Sequence, residues 1–188
     1  MIIVVAGGIG TGKSTVMKIL EDLGAKVIYA DAINRELLLD EQYIKKIDEN
    51  FDGVVKDGVI DKKALRNIIF NDEEARLRLN SIAHPLIFNR INDLASSSGL
   101  IFVEIPLFVE CSSYIKYDKL CAILASKSIR AERVAKRDNI SIESALKIIE
   151  AQIKEEKVYE SADFIIYNNK DINYLREQVV LMYNNVVR

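Results

Sequence analysis

The sequence predicts a three-layer α/β fold on a five-stranded parallel sheet. Two observations carry that prediction. Short apolar runs, rich in β-branched residues, alternate along the chain with longer stretches of helical periodicity, as expected of strands buried on both faces. The first run, Ile2–Ala6, leads straight into Gly7-Gly8-Ile9-Gly10-Thr11-Gly12-Lys13-Ser14, which fits the phosphate-loop pattern G-x-x-x-x-G-K-[ST]. At 188 residues the chain has room for one α/β domain and a small inserted lid.

Each residue type in the loop has a physical reason. Glycines let the backbone take conformations a side chain forbids and bring N–H groups close to phosphate oxygens. The next helix aims its free N–H groups and positive dipole end at the same anion. Lys13 is placed to neutralise the β- and γ-phosphates, and the Ser14 hydroxyl to ligate Mg²⁺. The alternative is a glycine-rich strand-to-helix turn with no ligand. Val16, Ile19, Leu20 and Leu23 recur at helical spacing, and Gly24 stands where that helix stops.

Hydrophobic residues make up 49% of the chain and charged residues 29%, with a net charge of -2. That balance belongs to a soluble globular protein. It carries no global basic field that would argue for nucleic acid or an anionic membrane as partner. Cys111 and Cys121 show no metal-type spacing and no disulfide framework, so buried, inert thiols and a reducing cytoplasm are expected. No basic segment precedes the first strand, so no signal peptide is expected. The apolar run Leu100–Cys111 is too short to span a bilayer and contains Glu104 and Glu110. Residues 96–99 form a loop within the domain.

Lys26–Tyr29 is the second strand. It ends in Ala30-Asp31, where an acid faces the ligand crevice of an open parallel sheet. Asp31 is equally well placed to cap the next helix, and both roles are compatible. Residues 32–95 read as mostly helical. Ile44 and Ile47 mark an amphipathic piece, and Phe51-Asp52-Gly53 and Asp57-Gly58 are turn signals. Asp61 caps a helix over Lys62–Phe70, and Asn71 caps another with Glu73 and Glu74 in its first turn. His84-Pro85 breaks the helical run, because proline disfavours helical geometry in the residue before it. His84 is the only histidine, and a packed structural role competes with a substrate contact.

The third strand is Leu100–Glu104. Glu104 is either an acid near Mg²⁺ through water or a solvated strand-end carboxylate. The fourth strand is Asp118–Leu124. After it Arg130, Arg133 and Arg137 share one helical face. They are either a solvated basic stripe or forks for phosphate oxygens. A second helix, from Ile142 to about Val158, joins the first through Asn139-Ile140-Ser141, and the pair reads as a mobile lid. Phe164–Tyr167 is the fifth strand, followed by Asn168-Asn169-Lys170 and a final helix over about Asp171–Val187.

The ordered set of motifs resembles the dephospho-coenzyme A kinase family along nearly the whole chain. The matching stretches are Gly7–Thr15, Ala30-Asp31 with Arg35, Asp61–Phe70, His84-Pro85, Pro106-Leu107 with Glu110, Arg133 with Arg137-Asp138, Gln152, and Ala162-Asp163 with Asn169. The resemblance implies transfer of the ATP γ-phosphate to the ribose 3′-hydroxyl of dephospho-coenzyme A, with Mg²⁺. It implies a P-loop kinase core at about 1–31, 96–127 and 160–188, a helical acceptor-binding insertion at about 32–95, and a helical lid at about 128–159. ATP is expected on Gly8, Gly10, Thr11, Gly12, Lys13, Ser14, Thr15, Arg137 and Asn169, with Ser14 on the metal and the region around Asn168 and Asn169 near the adenine. The acceptor is expected on Asp31, Arg35, His84, Pro85, Pro106 and Leu107. Asp31, Lys13, Arg133 and Arg137 carry catalysis, with Asp31 orienting the 3′-hydroxyl and accepting its proton.

The chain departs from the family pattern at four positions. Tyr29 stands for an aspartate, Ala6 for a threonine, Lys62 for an arginine and Lys170 for a glycine. The departures near the acceptor side motivate a second reading, a kinase of another small acceptor such as a nucleoside monophosphate; a third, a non-catalytic nucleotide-binding protein, has the intact Asp31, Arg133 and Arg137 against it.

Overall fold

The structure is a computed structural model, which describes residues 1–97, 99–106, 108, 112–152 and 162–187. It divides into two compact units, Met1–Tyr29 with Ala95–Arg188, and Ala30–Leu94.

The first unit is built on the parallel sheet. Its strands are β1 (Ile2–Ala6), β2 (Val27–Tyr29), β5 (Ile101–Glu104), β6 (Lys119–Leu124) and β7 (Phe164–Tyr167), in the spatial order β2-β5-β1-β6-β7. All neighbours run parallel; Val4 sits between Val103 and Leu120. The five strands are those expected from the apolar runs. β1 is central and buried along its whole length, which is why its sequence is uniformly apolar. Two helices, α1 (Lys13–Asp22) and α8 (Ile172–Val187), cover one face of the sheet. Val16, Met17, Leu20, Leu175, Val179 and Met182 pack there on Ile3, Val5, Phe102, Cys121, Ile123 and Ile166.

Gly24 ends α1 as its position in the sequence indicated. It has φ +82°, and the pair of bonds Ala25 N–H to Leu20 O and Gly24 N–H to Glu21 O closes the helix in a Schellman arrangement. Burial pushes the Cys121 thiol up to about 12, so it is an inert core group at neutral pH. Cys111 lies outside the described residues.

The second unit is helical, with α2 (Ala30–Leu37), α3 (Glu41–Asn50), α4 (Lys62–Asn71) and most of α5 (Glu73–Ser96). Asp40 caps α3 by accepting from the Tyr43 N–H, and Asp61 caps α4 by accepting from Lys63 and Ala64. Two expectations need correction here, and a third is extended. First, α5 runs through His84-Pro85 without a break. Proline costs the helix one hydrogen bond and a local clash, about 3 kcal/mol. The 24-residue helix keeps its other bonds and buries Ala83, Ile87, Phe88 and Ile91 around that point, which offsets the loss. Second, Asp72 rather than Asn71 starts α5, accepting from the Ala75 N–H, while Asn71 ends α4 with its amide on the Asn67 carbonyl. Third, Asp57-Gly58 is a turn as expected, and it is the tip of a two-stranded hairpin, β3 (Val55–Lys56) and β4 (Val59–Ile60), within a stretch read as mostly helical. Both tip residues have positive φ, 51° and 75°, as a two-residue hairpin turn requires.

Back in the first unit, α6 (Lys127–Asp138) and α7 (Ile142–Gln152) form an antiparallel pair. Asn139, at φ 54°, ends α6 with its N–H on the Ala135 carbonyl. Ala131, Val134, Ala145 and Ile149 make a small core of their own, and the loop residue Ile9 packs against it. The expected continuation of the second lid helix to Val158 lies outside the described residues.

Candidate active site

The loop between β1 and α1 leaves the carboxyl end of the central strand, where open parallel sheets bind ligands. The helix that follows it differs at its start from three others in the chain. Asp40, Asp61 and Ser126 cap α3, α4 and α6 with their side chains, but α1 begins at Gly12 with no side-chain cap. The first turn of α1 therefore has no side-chain cap to compete with an anion, with Ser14 and Thr15 exposed on it and no acid to oppose one. Lys13 reaches back along the loop and donates from Nζ to the Gly7 carbonyl at 2.8 Å and the Gly8 carbonyl at 3.3 Å. The Thr11 hydroxyl donates to the Gly8 carbonyl at 3.0 Å.

Three side chains from outside the loop hold three successive loop carbonyls. Arg130 Nε donates to Ile9 O at 2.9 Å, Arg133 Nη1 to Gly10 O at 3.4 Å, and Asn168 Nδ2 to Thr11 O at 2.8 Å. Arg133 Nη2 also donates to Asn168 Oδ1 at 3.3 Å, so two of the three are tied to each other. The contacts are close. A Cβ on Gly10 would lie 2.9 Å from the Arg130 carbonyl, and one on Gly12 would lie 2.2 Å from Asn168 Nδ2. Gly12 also has φ +96°, which side-chain-bearing residues rarely adopt. The Asn168 amide cannot yield without losing its bond to Thr11. Gly12→Ala should therefore weaken MgADP binding by about 5- to 150-fold if the loop relieves the strain by leaving its binding conformation, since such backbone strain costs about 1–3 kcal/mol. Calorimetric titration checks it, and parental affinity in that variant contradicts the account.

The three arginines that share a face in sequence have three different fates. Arg130 is 2% exposed and Arg133 is half-buried, so the solvated-stripe reading fails for both. Arg137 is exposed and turns to its neighbour Asp138, bonding it at 2.7 and 2.8 Å. That bond holds the Asp138 carboxyl below the usual carboxylate range. Asn169 accepts from the Ser126 N–H at 2.7 Å, joining the end of β7 to the start of α6. Asn168 and Arg130 are the buried members of the brace: Asn168 was expected near the adenine and Arg130 as one possible fork for phosphate oxygens, and the structure sets both on loop carbonyls. Their partners lie 157 and 121 residues away in the chain, beyond the reach of any local pattern.

The acceptor-side candidates divide between the two units. In the helical unit, Asp31 is the second residue of α2 and is exposed; α2 starts at Ala30, so Asp31 lies inside the first turn and is not the cap. Arg35 follows one turn later on the same face. His84 is half-buried midway along α5, its ring 5.8 Å from that of Phe88. In the sheet unit, Pro106 follows β5 and is half-buried. Leu107 and Glu110 lie outside the described residues. Glu104 ends β5 beside Val5 on one side and Tyr29 on the other, at the carboxyl edge of the sheet.

A family model for dephospho-CoA kinase matches residues 1–173. The chain belongs to the dephospho-CoA kinase family. It is 33% identical over 183 residues to the dephospho-CoA kinase of Fusobacterium nucleatum, covering 95% of each chain. It is 35% identical over 183 residues to that of Wolinella succinogenes, covering 94% of this chain and 90% of the relative. The solved structure of a dephospho-CoA kinase from Campylobacter jejuni superposes with a TM-score of 0.72 at 30% identity, covering 98% of this chain and 96% of that one. A dephospho-CoA kinase core is thus the right frame for the loop, the sheet and the brace, and the chain is a phosphotransferase.

Two departures from the family pattern have a structural account. The Tyr29 hydroxyl donates to Glu21 of α1 at 3.2 Å, and burial, with the charges of Glu21 and Glu104, pushes its pKa up to about 12. It is a neutral packing group, with no carboxylate to offer a metal. Lys170 does not have positive φ, so glycine is not required there, and its Nζ sits 4.2 Å from the centre of the Tyr174 ring. Among the described residues, no group of three or more His, Cys, Asp or Glu side chains is placed to hold a metal ion, and no helix is long and apolar enough to cross a membrane.

Proposed function

We propose that Asp31 is the base and the phosphate loop the ATP site of a kinase that acts on the ribose 3′-hydroxyl of dephospho-coenzyme A. ATP-dependent phosphorylation of dephospho-coenzyme A to coenzyme A is the reaction of the family to which the chain belongs. One observation carries the reading of the site: a braced loop with an uncapped helix start, in a chain matched to that family over residues 1–173.

On this reading Gly8, Gly10, Thr11, Gly12 and Thr15 surround the phosphates with N–H groups, and the Lys13 ammonium leaves the loop carbonyls to neutralise the β- and γ-phosphates. Arg133, already at the loop, meets charge as it develops on the transferring group. Arg137 has to leave Asp138 to do the same. Phosphoryl transfer goes through a loose transition state, so these groups contribute positioning and charge rather than covalent chemistry. Asp31 accepts the proton of the 3′-hydroxyl. The oxygen forms its bond to the γ-phosphorus as the bond from that phosphorus to the β–γ bridging oxygen breaks, and ADP leaves. Arg35, His84, Pro85, Pro106 and Leu107 hold the acceptor. Asn169 lies near the adenine. The helical insertion at about 32–95 serves the acceptor, and the helices at about 128–159 act as the lid that excludes water.

The donor set suits Mg²⁺. That ion keeps several waters and takes one or two protein oxygens plus substrate phosphates, so no all-protein cage is needed. Ser14, exposed in the first turn of α1, would hold it. When bound, Mg²⁺ neutralises charge across the phosphates. The buried Cys121 thiol suits the reducing cytoplasm as the compartment.

ADP release from MgATP, measured with and without dephospho-coenzyme A, tests the reading. Strong stimulation with coenzyme A as product is expected. Stimulation by a nucleoside monophosphate instead would replace the acceptor, and nucleotide binding without any stimulation would favour a non-catalytic role.

A further inference from the structure

Arg130 has no part in the proposed reaction, yet it is among the most buried charged side chains described, at 2% exposure. Its Nε–H bonds the Ile9 carbonyl at 2.9 Å, and its own carbonyl lies where a Cβ of Gly10 would come within 2.9 Å. We propose that Arg130 is a positioning residue for the phosphates of ATP, acting through the Ile9 carbonyl rather than through its charge.

The peptide unit supplies the mechanism. A trans peptide is planar, so the carbonyl of one residue and the N–H of the next point in opposite directions. Holding Ile9 O toward α6 turns the Gly10 N–H away from α6. Arg133 on Gly10 O does the same for the Thr11 N–H, and Asn168 on Thr11 O for the Gly12 N–H. The Thr11 N–H makes only a long turn bond, 3.4 Å, to the Gly8 carbonyl. Three consecutive donors are thus aimed before any phosphate arrives, and preorganised donors cost no reorganisation at the moment of use. Arg130 anchors the first of the three. It holds its place because α6 is itself fixed to the loop: Ile9 packs against the small core of Ala131, Val134, Ala145 and Ile149. The first half of α6 is therefore part of the phosphate cradle.

The geometry of the side chain provides a discriminating test. Glutamine places its amide nitrogen the same number of bonds from Cβ as arginine places Nε. Arg130→Gln keeps a donor where the Ile9 carbonyl needs one and discards the charge. Arg130→Lys keeps the charge and moves the donor one bond further out. Arg130→Met fills the space with neither. This inference rests on the reading of the loop as the nucleotide site, so binding is measured directly, by calorimetric titration of MgADP into the whole protein. KM values for ATP and dephospho-coenzyme A and melting temperatures are measured beside it.

Arg130→Gln should bind MgADP within about threefold of the parent, and Arg130→Met about tenfold or more weakly, the usual cost of leaving a partly buried carbonyl without its donor. Arg130→Lys should fall between them. KM for ATP should follow the same order while KM for dephospho-coenzyme A stays constant. If Arg130→Met does not fold, the order of Gln over Lys decides alone. Lysine equal to the parent with glutamine several-fold weaker would show that charge matters and overturn the proposal. Equal affinity in all folded variants, with only melting temperature changed, would reduce Arg130 to a structural residue. A parent that binds MgADP but does not phosphorylate dephospho-coenzyme A would refute the assigned reaction and leave the Arg130 titration interpretable.

Discussion

The Asp31→Asn variant should turn over roughly 10²–10⁴-fold more slowly than the parent, the range that a positioned general base contributes. In barrier terms that is about 2.7–5.5 kcal/mol. A ribose hydroxyl is a poor nucleophile at neutral pH, and asparagine keeps the size and a hydrogen-bond acceptor of aspartate but cannot take up a proton there. The structural cost of the change is small by comparison. Asp31 is exposed in the first turn of α2, so removing its charge loses a helix-dipole interaction of about 0.3–1 kcal/mol. Melting temperature and MgADP affinity should therefore stay close to the parent while kcat collapses. A kcat within threefold of the parent would mean that the proton leaves by another route, and the assignment of Asp31 would be lost.

Lys13→Ala should lower kcat/KM for ATP roughly 10²–10³-fold, as removal of one preorganised charge-stabilising donor does in other active sites. The loss should fall on both kcat and KM, because the ammonium meets phosphate charge in the ground state and in the transition state. The variant also removes the donor that spans the Gly7 and Gly8 carbonyls at 2.8 and 3.3 Å, so the loop loses some support. Thermal unfolding separates the two effects. A folded variant with parental kcat/KM would contradict the phosphate-loop reading. Methionine in place of alanine, which restores the bulk of the stem, should not restore activity.

Legibility in the sequence tracked the range of the interaction. β1 and its neighbours were readable because a strand covered on both faces has to be apolar throughout. Gly24 was readable as a helix stop because the left-handed position after a helix selects glycine. The hairpin at residues 55–60 carried its signal too, in Asp57-Gly58 between Val54-Val55 and Val59-Ile60, and reading the pair only as a turn missed it. Pro85 misled because its local cost is real but modest against a 24-residue helix with a buried face. The stripe Arg130, Arg133, Arg137 shows the limit most clearly. Helical spacing puts all three on one side of α6, and nothing in that spacing says that Arg130 is buried under the loop, Arg133 half-covered and Arg137 paired to Asp138.

By itself, the sequence determined the five strands of the parallel sheet, the phosphate loop at the end of the first of them, and the family. All of these rest on signals that span a few residues: periodicity, glycine at special backbone angles, and short motifs in a fixed order. Tertiary structure alone decided how the loop is held. β6 lies beside β1, and β7 beside β6, so the chain segments leaving those strands, α6 and Asn168, arrive next to the loop. Contacts of this kind join residues more than a hundred positions apart, and they exist because sheet topology stacks the strand ends together. A motif names the groups that meet a phosphate, but the packing behind the motif aims them.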